Sequence, residues 1–222
     1  MKPFFIFQYF ANDKQGPFSI LKVYYISRVN KKTIRKTFLE RRKNLSRSQY
    51  WTLNEKVVDQ IAMINWSQFK TVHLFMPITD NKEIDTFSIL EYFKEHEPSL
   101  KIVIPRTNFE KIEMENILFD PVYTILGRNK YGIPEPIHGR AISSQDIDVV
   151  IMPLLAFDHE GNRVGYGKGF YDRFIETCRP DTKRIGLSFF EPVEKVDDVN
   201  EFDKPLHACI TPDRIWEFEN YN

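Results

Sequence analysis

Short apolar runs alternate along this chain with segments whose apolar residues recur at helical spacing, and this alternation constrains the fold most. A parallel pair of strands needs a long crossover connection, which is usually a helix, so strand–helix alternation predicts a parallel sheet covered by helices. The strand-like runs are 71–76, 101–104, 148–155, 183–188 and 207–211, and the helical ones are 30–44, 46–64, 86–96 and 170–178. We predict a single three-layer α/β/α domain with a mainly parallel sheet.

Two regions refine this prediction. The run 148–155 is apolar almost without interruption, which is typical of a parallel strand buried on both faces. The region 108–144 is less regular and rich in Gly and Pro, and we predict a hairpin or loop excursion beside the sheet.

Composition excludes several classes of protein. The chain has 222 residues, enough for one domain, and its 31 basic and 31 acidic residues balance, so no global field favours nucleic acid. The two cysteines predict neither a disulfide scaffold nor a cysteine zinc site and fit a reducing cytoplasm. The longest apolar run, 149–157, contains a proline and is far shorter than the ~20 residues of a spanning helix, which predicts no membrane segment.

The first 28 residues differ from the rest. They carry eight aromatic residues, only Lys2 precedes the Phe-rich run, and no small-residue cleavage site follows, so a signal peptide is not predicted. We expect a mobile or loosely docked extension over 1–28 and the α/β domain over 29–222.

The segment 151–173 carries the main signal for chemistry. A predicted buried strand runs into a loop that holds Gly161, Gly165, Gly167 and Gly169, and the loop runs into a helix. Ligands of open α/β sheets bind beyond the carboxyl ends of strands, and a helix amino terminus favours anions. Lys168, Arg163 and Arg173 add cationic donors, so the segment predicts a phosphate cradle. Asp172 in the first helical turn is either a dipole-favoured acid or a magnesium ligand.

The glycine spacing distinguishes this cradle from two common ones. In the dinucleotide fingerprint the third glycine stands one residue later than Gly169 does here. In a P-loop the lysine is followed by Ser or Thr, whereas Lys168 is followed by Gly169. A glycine-rich turn with a purely structural role is the alternative.

Residues 162–172, Asn-Arg-Val-Gly-Tyr-Gly-Lys-Gly-Phe-Tyr-Asp, closely resemble the signature of the 5-formyltetrahydrofolate cyclo-ligase family. Four further pieces match in order, namely Lys31 with Arg35, and the segments 83–86, 104–106 and 131–136. The resemblance covers about residues 30–215. It implies a fold similar to the ribose-isomerase and CoA-transferase-like folds. It also implies ATP- and Mg²⁺-dependent conversion of 5-formyltetrahydrofolate to 5,10-methenyltetrahydrofolate, with release of ADP and phosphate.

The resemblance also implies roles for individual residues. Lys168 and Arg163 would be the catalytic cations, and Asp172 and Asp203 would bind Mg²⁺. Leu74 and Glu83 would contact the folate, as would the loop residues Tyr166, Gly167, Lys168, Gly169 and Phe170. ATP would be held by Lys31, Arg35, Arg163, Gly165, Tyr166, Gly167, Lys168, Gly169, Phe170 and Tyr171. His207 departs from the pattern, because it stands where an acid is expected after Asp203.

Two other functions remain open at this point. One is a different phosphate-ester enzyme on the same scaffold, such as a sugar-phosphate isomerase. The other is a nucleic-acid-binding module that uses the basic helix over 28–47, against which stand the zero net charge and the lack of a second basic stripe. The expected partners are ATP and 5-formyltetrahydrofolate, with no nucleic acid and no membrane, and the expected state is a cytoplasmic monomer. The histidines at 73, 96, 138 and 159 show no ligand spacing and are expected at the surface or satisfied in the core.

Overall fold

A computed structural model of the protein describes residues 30–218. The predicted extension over 1–28 lies outside this range, and the boundary between it and the domain stays a prediction.

Within residues 30–218, four α-helices form where capping residues and apolar periodicity predict them. Asn30 accepts a hydrogen bond from the Thr33 amide at 3.0 Å and begins the first helix, and Ser46 with Gln49 forms a capping box that begins the second. Asp85 caps the third through the Phe87 amide. The helices are α1 (Lys31–Lys43), α2 (Arg47–Ala62), α3 (Thr86–His96) and α4 (Phe170–Thr177). None of the helices in residues 30–218 is long and apolar enough to cross a bilayer.

The strands fall at the apolar runs, with additional ones in the irregular region. They are β1 (Thr71–Leu74), β2 (Lys101–Asn108), β3 (Glu113–Leu118), β4 (Leu126–Arg128), β5 (Pro134–Pro136), β6 (Ala141–Ile142), β7 (Val149–Pro153), β8 (Ala156–Phe157), β9 (Arg163–Val164), β10 (Lys183–Leu187), β11 (Ala208–Ile210) and β12 (Ile215–Glu217). Eight of them form one sheet in the order β12-β11-β10-β7-β1-β2-β3-β6.

The centre of this sheet is parallel, as predicted. Strands β2, β1, β7, β10 and β11 pair in parallel, whereas β12 on one side and β3 and β6 on the other pair antiparallel. The antiparallel strands therefore lie at the two edges of the sheet. The strand β1 lies in the middle and pairs with β2 on one side and with β7 on the other.

The placement of 108–144 beside the sheet was wrong in part. The strand β2 continues through Pro105 to Asn108 and turns back into β3, so that β3 and β6 extend the main sheet, and only β4 and β5 form a separate ribbon. The pairing of β2 with β1 ends at Val103. Pro105 therefore has a neighbouring strand on one side only, and a proline is tolerated there because its missing N–H leaves no ladder partner unpaired.

Three apolar clusters build the layers. On one face of the sheet, α2 and α3 pack on Val72 and Ile151, and on the other face α4 packs on Val150 and Met152. This is the predicted α/β/α arrangement. The helix α1 forms a third cluster, in which Ile34 and Phe38 meet residues just beyond the carboxyl end of β7 and Val164 of β9. This cluster holds α1 across the end of the parallel strands, where ligands of α/β sheets bind.

We expect Gly186→Ala to destabilise the domain by roughly 1–3 kcal/mol, because it overpacks the α4 face. A Cβ at Gly186 in β10 would lie 2.5 Å from Leu154 Cδ2 and 2.8 Å from Leu206 Cδ1. The melting temperature should fall by roughly 2–12 °C. Gly165→Ala is the matched control for stability, since no heavy atom lies within 4 Å of its added Cβ. Equal melting temperatures for the two variants would contradict the packing described here.

Candidate active site

A cleft of about 540 Å³ opens at the carboxyl ends of the parallel strands. Phe75 and Met76 follow β1, Pro153 ends β7, and the second half of β2 contributes Pro105 and Thr107. The position is the one at which open α/β sheets bind ligands, and the volume lies within the range of ~300–1,000 Å³ usual for small-molecule sites.

The glycine segment forms one wall of this cleft. It leads from β9 into α4, and Gly167 has φ +88° while Gly169, the residue before α4, has φ +72°. Both values lie in the left-handed region that glycine enters without steric cost. The turn exposes the amino end of α4 to the cleft, as the sequence predicts for an anion site.

Basic side chains from α1 lie against this segment. Arg35 donates from Nε to the Gly165 carbonyl oxygen at 2.9 Å, and its guanidinium passes directly beside the Cα of Gly167. Lys31 forms an ion pair with Asp203 across the mouth of the cleft. Lys168 is exposed, and among residues 30–218 it has neither a hydrogen-bond partner nor an ion-pair partner. This wall therefore presents three cations, Lys31, Arg35 and Lys168. Of these, Lys168 has no partner in the described part of the chain.

Two carboxylates lie on the same side. Asp172 Oδ1 accepts from Arg163 Nη2 at 2.6 Å and from the Lys204 amide at 3.2 Å, and Arg163 also donates to the Lys204 carbonyl oxygen. Asp203 Oδ2 accepts from Lys31 and from the Asn200 amide. In each carboxylate, one oxygen therefore accepts hydrogen bonds. The other oxygen accepts none from residues 30–218. The buried Arg163 positions Asp172 and the 203–204 segment.

Glu83 lies at the floor of the cleft and contacts Tyr166 of the glycine segment. Its carboxylate accepts from the Ile78 amide at 2.6 Å and from the Tyr166 hydroxyl at 2.6 Å, and Arg42 Nη2 lies 4.0 Å away. Burial raises the pKa of the Glu83 carboxyl above its ordinary value, whereas the Arg42 guanidinium acts in the opposite direction. Burial also raises the pKa of the Tyr166 hydroxyl, which keeps this group a neutral donor toward Glu83.

A second wall of the cleft is aromatic. Phe109 lies 4.6 Å from Tyr131 and 5.5 Å from Phe170 between ring centroids, and Lys130 Nζ sits 5.0 Å from the Phe109 ring centroid. Glu135 of β5 is buried at the base of this wall, where its carboxylate accepts from the Thr107 amide at 3.1 Å. Flat aromatic faces beside a cation suit a ligand with a planar ring and an anionic end.

The structure brings nearly all of the predicted site residues into this one cleft. Leu74 is the exception, because it is fully buried in the core cluster of β1 and does not line the cleft. The side chain that meets the cleft at this strand end is Met76, two residues later. The predicted residues that line it are Lys31, Arg35, Glu83, Arg163, Gly165, Tyr166, Gly167, Lys168, Gly169, Phe170, Tyr171, Asp172 and Asp203.

Sequence reasoning overlooked Arg42. By charge alone it belongs to the basic helix over 28–47, yet it is 5% exposed and bonded to Tyr166. Its spacing from Ile34 and Phe38 along the buried stripe of α1 is the signal that could have found it. Lys31 and Arg42 are both buried, so these two cations of α1 do not contribute to an exposed basic surface.

Two histidines have structural positions. His207 accepts from the Arg184 amide at 2.9 Å through Nδ1, within the pairing of β10 and β11. His73 is buried beneath the cleft, shares a hydrogen bond with Asn116 at 2.9 Å, and has its pKa lowered by burial to about 4. It is a satisfied core residue, as expected.

Comparisons with known proteins identify the family to which this chain is similar. The profile of the 5-formyltetrahydrofolate cyclo-ligase family matches residues 27–212. A 5-formyltetrahydrofolate cyclo-ligase of Escherichia coli (strain K12) is 43% identical over 74 residues, which are 32% of this chain and 40% of that protein. One of Mus musculus is 27% identical over 173 residues, 72% of this chain and 81% of the mouse protein. The solved structure of Aquifex aeolicus 5,10-methenyltetrahydrofolate synthetase aligns with a TM-score of 0.72 and 27% identity, covering 86% of this chain and 94% of that one.

Proposed function

The chain belongs to the 5-formyltetrahydrofolate cyclo-ligase family, and we propose that it converts 5-formyltetrahydrofolate and ATP to 5,10-methenyltetrahydrofolate, ADP and phosphate. One observation carries the proposal. A single cleft combines a cationic, glycine-lined wall suited to phosphates with a buried carboxylate and an aromatic wall suited to a pterin and its aromatic tail.

The chemistry explains why the site is cationic and needs no nucleophilic side chain. The formyl oxygen attacks the γ-phosphorus of ATP and ADP departs, which converts a poor leaving group into a phosphate ester. N10 of the folate then attacks the formyl carbon, the carbon–oxygen bond breaks with release of phosphate, and N10 loses its proton. Phosphoryl transfer of this kind depends on positioning and charge neutralisation. Lys168, Arg35 and Lys31 are placed to supply both.

The ligands divide between the two walls according to charge. The ATP phosphates lie along the glycine segment, where the amino end of α4 and Lys168 meet them. The pterin lies toward Glu83, whose carboxylate can accept from the paired N–H donors of the ring. The aminobenzoyl ring then reaches the wall of Phe109 and Tyr131, and the glutamate carboxylates reach Lys130.

The residues present fit a magnesium ion. Residues 30–218 contain no group of three or more potential metal-ligating side chains, but Mg²⁺ in nucleotide sites is commonly held by one or two carboxylates together with phosphate oxygens. Asp172 and Asp203 line the cleft, each with a carboxylate oxygen that makes no hydrogen bond within that range. The ion, when bound, neutralises charge on the phosphates. Asp172 and Asp203 would hold it, and Arg163 and Lys31 position these two carboxylates.

We expect Asp172→Asn and Asp203→Asn each to raise the Mg²⁺ concentration for half-maximal activity by roughly tenfold or more, because each removes an anionic ligand. The effect of the double variant should be less than additive if both carboxylates serve one ion. Glu201→Gln is the matched control, an exposed acid two residues from Asp203 and outside the cleft. Strict additivity in a Mg²⁺ titration of initial rates would show that the two acids act separately.

The decisive experiment follows product and nucleotide together. Methenyltetrahydrofolate absorbance should appear from 5-formyltetrahydrofolate only in the presence of ATP, with ADP formed in equal amount. Steady ATP hydrolysis without folate, or ring closure without ATP, would reject the proposed reaction.

The cellular setting and oligomeric state belong to the same proposal. Cys178 and Cys209 are both buried free thiols, which suits a reducing cytoplasm. We also propose that the protein is a monomer. Sedimentation of the purified protein tests the latter.

A further inference from the structure

Arg42 is a buried cation that the reaction above does not use. Its side chain is 6% exposed and lies in the last turn of α1, where it donates to the Asn81 carbonyl oxygen at 2.7 Å and to the Leu154 carbonyl oxygen at 3.3 Å. Burying a guanidinium is costly unless its charge is compensated. The acid nearest to it is Glu83, with 4.0 Å between Arg42 Nη2 and Glu83 Oε1.

Tyr166 links the two charges. Arg42 Nη2 donates to the Tyr166 hydroxyl, which donates its own proton to Glu83 Oε1 at 2.6 Å, and the Arg42 guanidinium also lies 5.7 Å from the Tyr166 ring centroid. The hydroxyl therefore has a fixed direction, with its lone pair toward the cation and its proton toward the carboxylate. The result is a chain of hydrogen bonds from α1 through the glycine segment to the floor of the cleft.

This series of hydrogen bonds connects the phosphate side of the site with the part assigned to the pterin. The helix α1 also carries Lys31 and Arg35, which face the phosphate wall, and Tyr166 lies between two glycines of that wall. Glu83 faces the part of the cleft assigned to the pterin.

We propose that Arg42 is a positioning residue for the folate, which acts through Tyr166 to hold the Glu83 carboxylate ionised and in one orientation. The inference rests on the proposed function, since it assigns the ligand of Glu83 as the pterin. Arg42 itself does not line the cleft, so its effect on the folate is exerted through its neighbours.

The titratable and charged groups around Glu83 give the sign of the pH effect. They are Arg42 from α1, Tyr50 from α2, Tyr166 from the glycine segment and Tyr171 from α4. Arg42 is the cation among them, and it opposes the rise in the Glu83 pKa that burial causes. Removing Arg42 therefore raises the pKa of Glu83 further, so that the carboxylate is lost at a higher pH.

The test is Arg42→Met in the full chain, with Lys43→Met as the matched control, an exposed cation one residue later on the same helix. We expect KM for 5-formyltetrahydrofolate to rise about 10- to 100-fold, the effect of losing one charge-assisted hydrogen bond network. KM for ATP should change less than threefold. The acid limb of kcat/KM for the folate should move to higher pH, and Lys43→Met should match the wild type in all three.

Tyr166→Phe keeps the test informative if Arg42→Met does not fold. It removes the hydroxyl that links the two charges, and it should raise KM for the folate and shift the acid limb in the same direction. The double variant should be less than additive with respect to the single ones. Equal rises in KM for both substrates, an unchanged acid limb, or a Tyr166→Phe enzyme with wild-type folate kinetics would overturn the inference. A wild-type enzyme that makes no methenyltetrahydrofolate would instead reject the proposed function.

Discussion

Lys168→Ala should lower kcat/KM about 10- to 150-fold while leaving the melting temperature of the ligand-free protein unchanged. Lys168 is exposed in the cleft and has no hydrogen-bond or ion-pair partner among residues 30–218, so its removal breaks no contact of the described fold. A charge-assisted hydrogen bond to a phosphate contributes ~1.5–3 kcal/mol, and ~1.4 kcal/mol corresponds to a tenfold change in rate constant.

The control for Lys168→Ala is Lys36→Ala, which removes an exposed cation of α1 outside the cleft. It should leave kcat/KM near the wild-type value, so that a general effect of net charge is separated from the local one. The measurements are initial rates with each substrate varied and a thermal melt without ligand. A folded and fully active Lys168→Ala enzyme would remove this lysine from the phosphate site.

Gly167→Ala should have a larger effect, roughly 100-fold or more in kcat/KM. At φ +88° an alanine is strained by ~1–2 kcal/mol, and its Cβ would lie 2.9 Å from the Arg35 Cζ atom. The loop then populates other conformations, and affinity falls with the fraction that stays competent. Displacement of Arg35 removes a further charge-assisted contact worth ~1.5–3 kcal/mol.

A double-variant experiment separates these two causes. If Gly167→Ala acts partly through Arg35, the change should cost less in an Arg35→Met background than in the wild type. Gly165→Ala provides the comparison for loop substitution in general, because its added Cβ meets no atom within 4 Å and its loss of activity should be smaller. A Gly167→Ala enzyme whose ATP affinity matches that of Gly165→Ala would show that the close approach of Arg35 is unimportant.

Arg163 is a less direct probe of the same site. As a cation of the glycine segment, Arg163 is expected from sequence to contribute to activity but not to stability. The structure buries Arg163 and pairs it with Asp172 at 2.6 Å and with the Lys204 carbonyl oxygen. Loss of this side chain would release the segment that carries Asp203, so we expect Arg163→Ala to lower stability as well as activity.

The order of elements and the glycine turn that leads into α4 could be predicted from sequence because both depend on residues close together in the chain. Helical spacing, the Ser46 capping box and the glycines before α4 act over a few residues, and their effect is nearly independent of the rest of the fold. The family signature over 162–172 is local in the same sense. Its residues Lys168 and Asp172 both line the cleft.

What the tertiary structure alone decided are contacts between distant parts of the chain. The ion pair of Lys31 with Asp203 joins residues 172 positions apart, and the burial of Arg42 depends on α1 lying across the end of the sheet. Which strand-end residue meets the cleft, Met76 rather than Leu74, depends on where the β1 pairing ends and the chain turns. Periodicity gives the face of an element but neither its register nor its end, because these are set by the partners that it packs against.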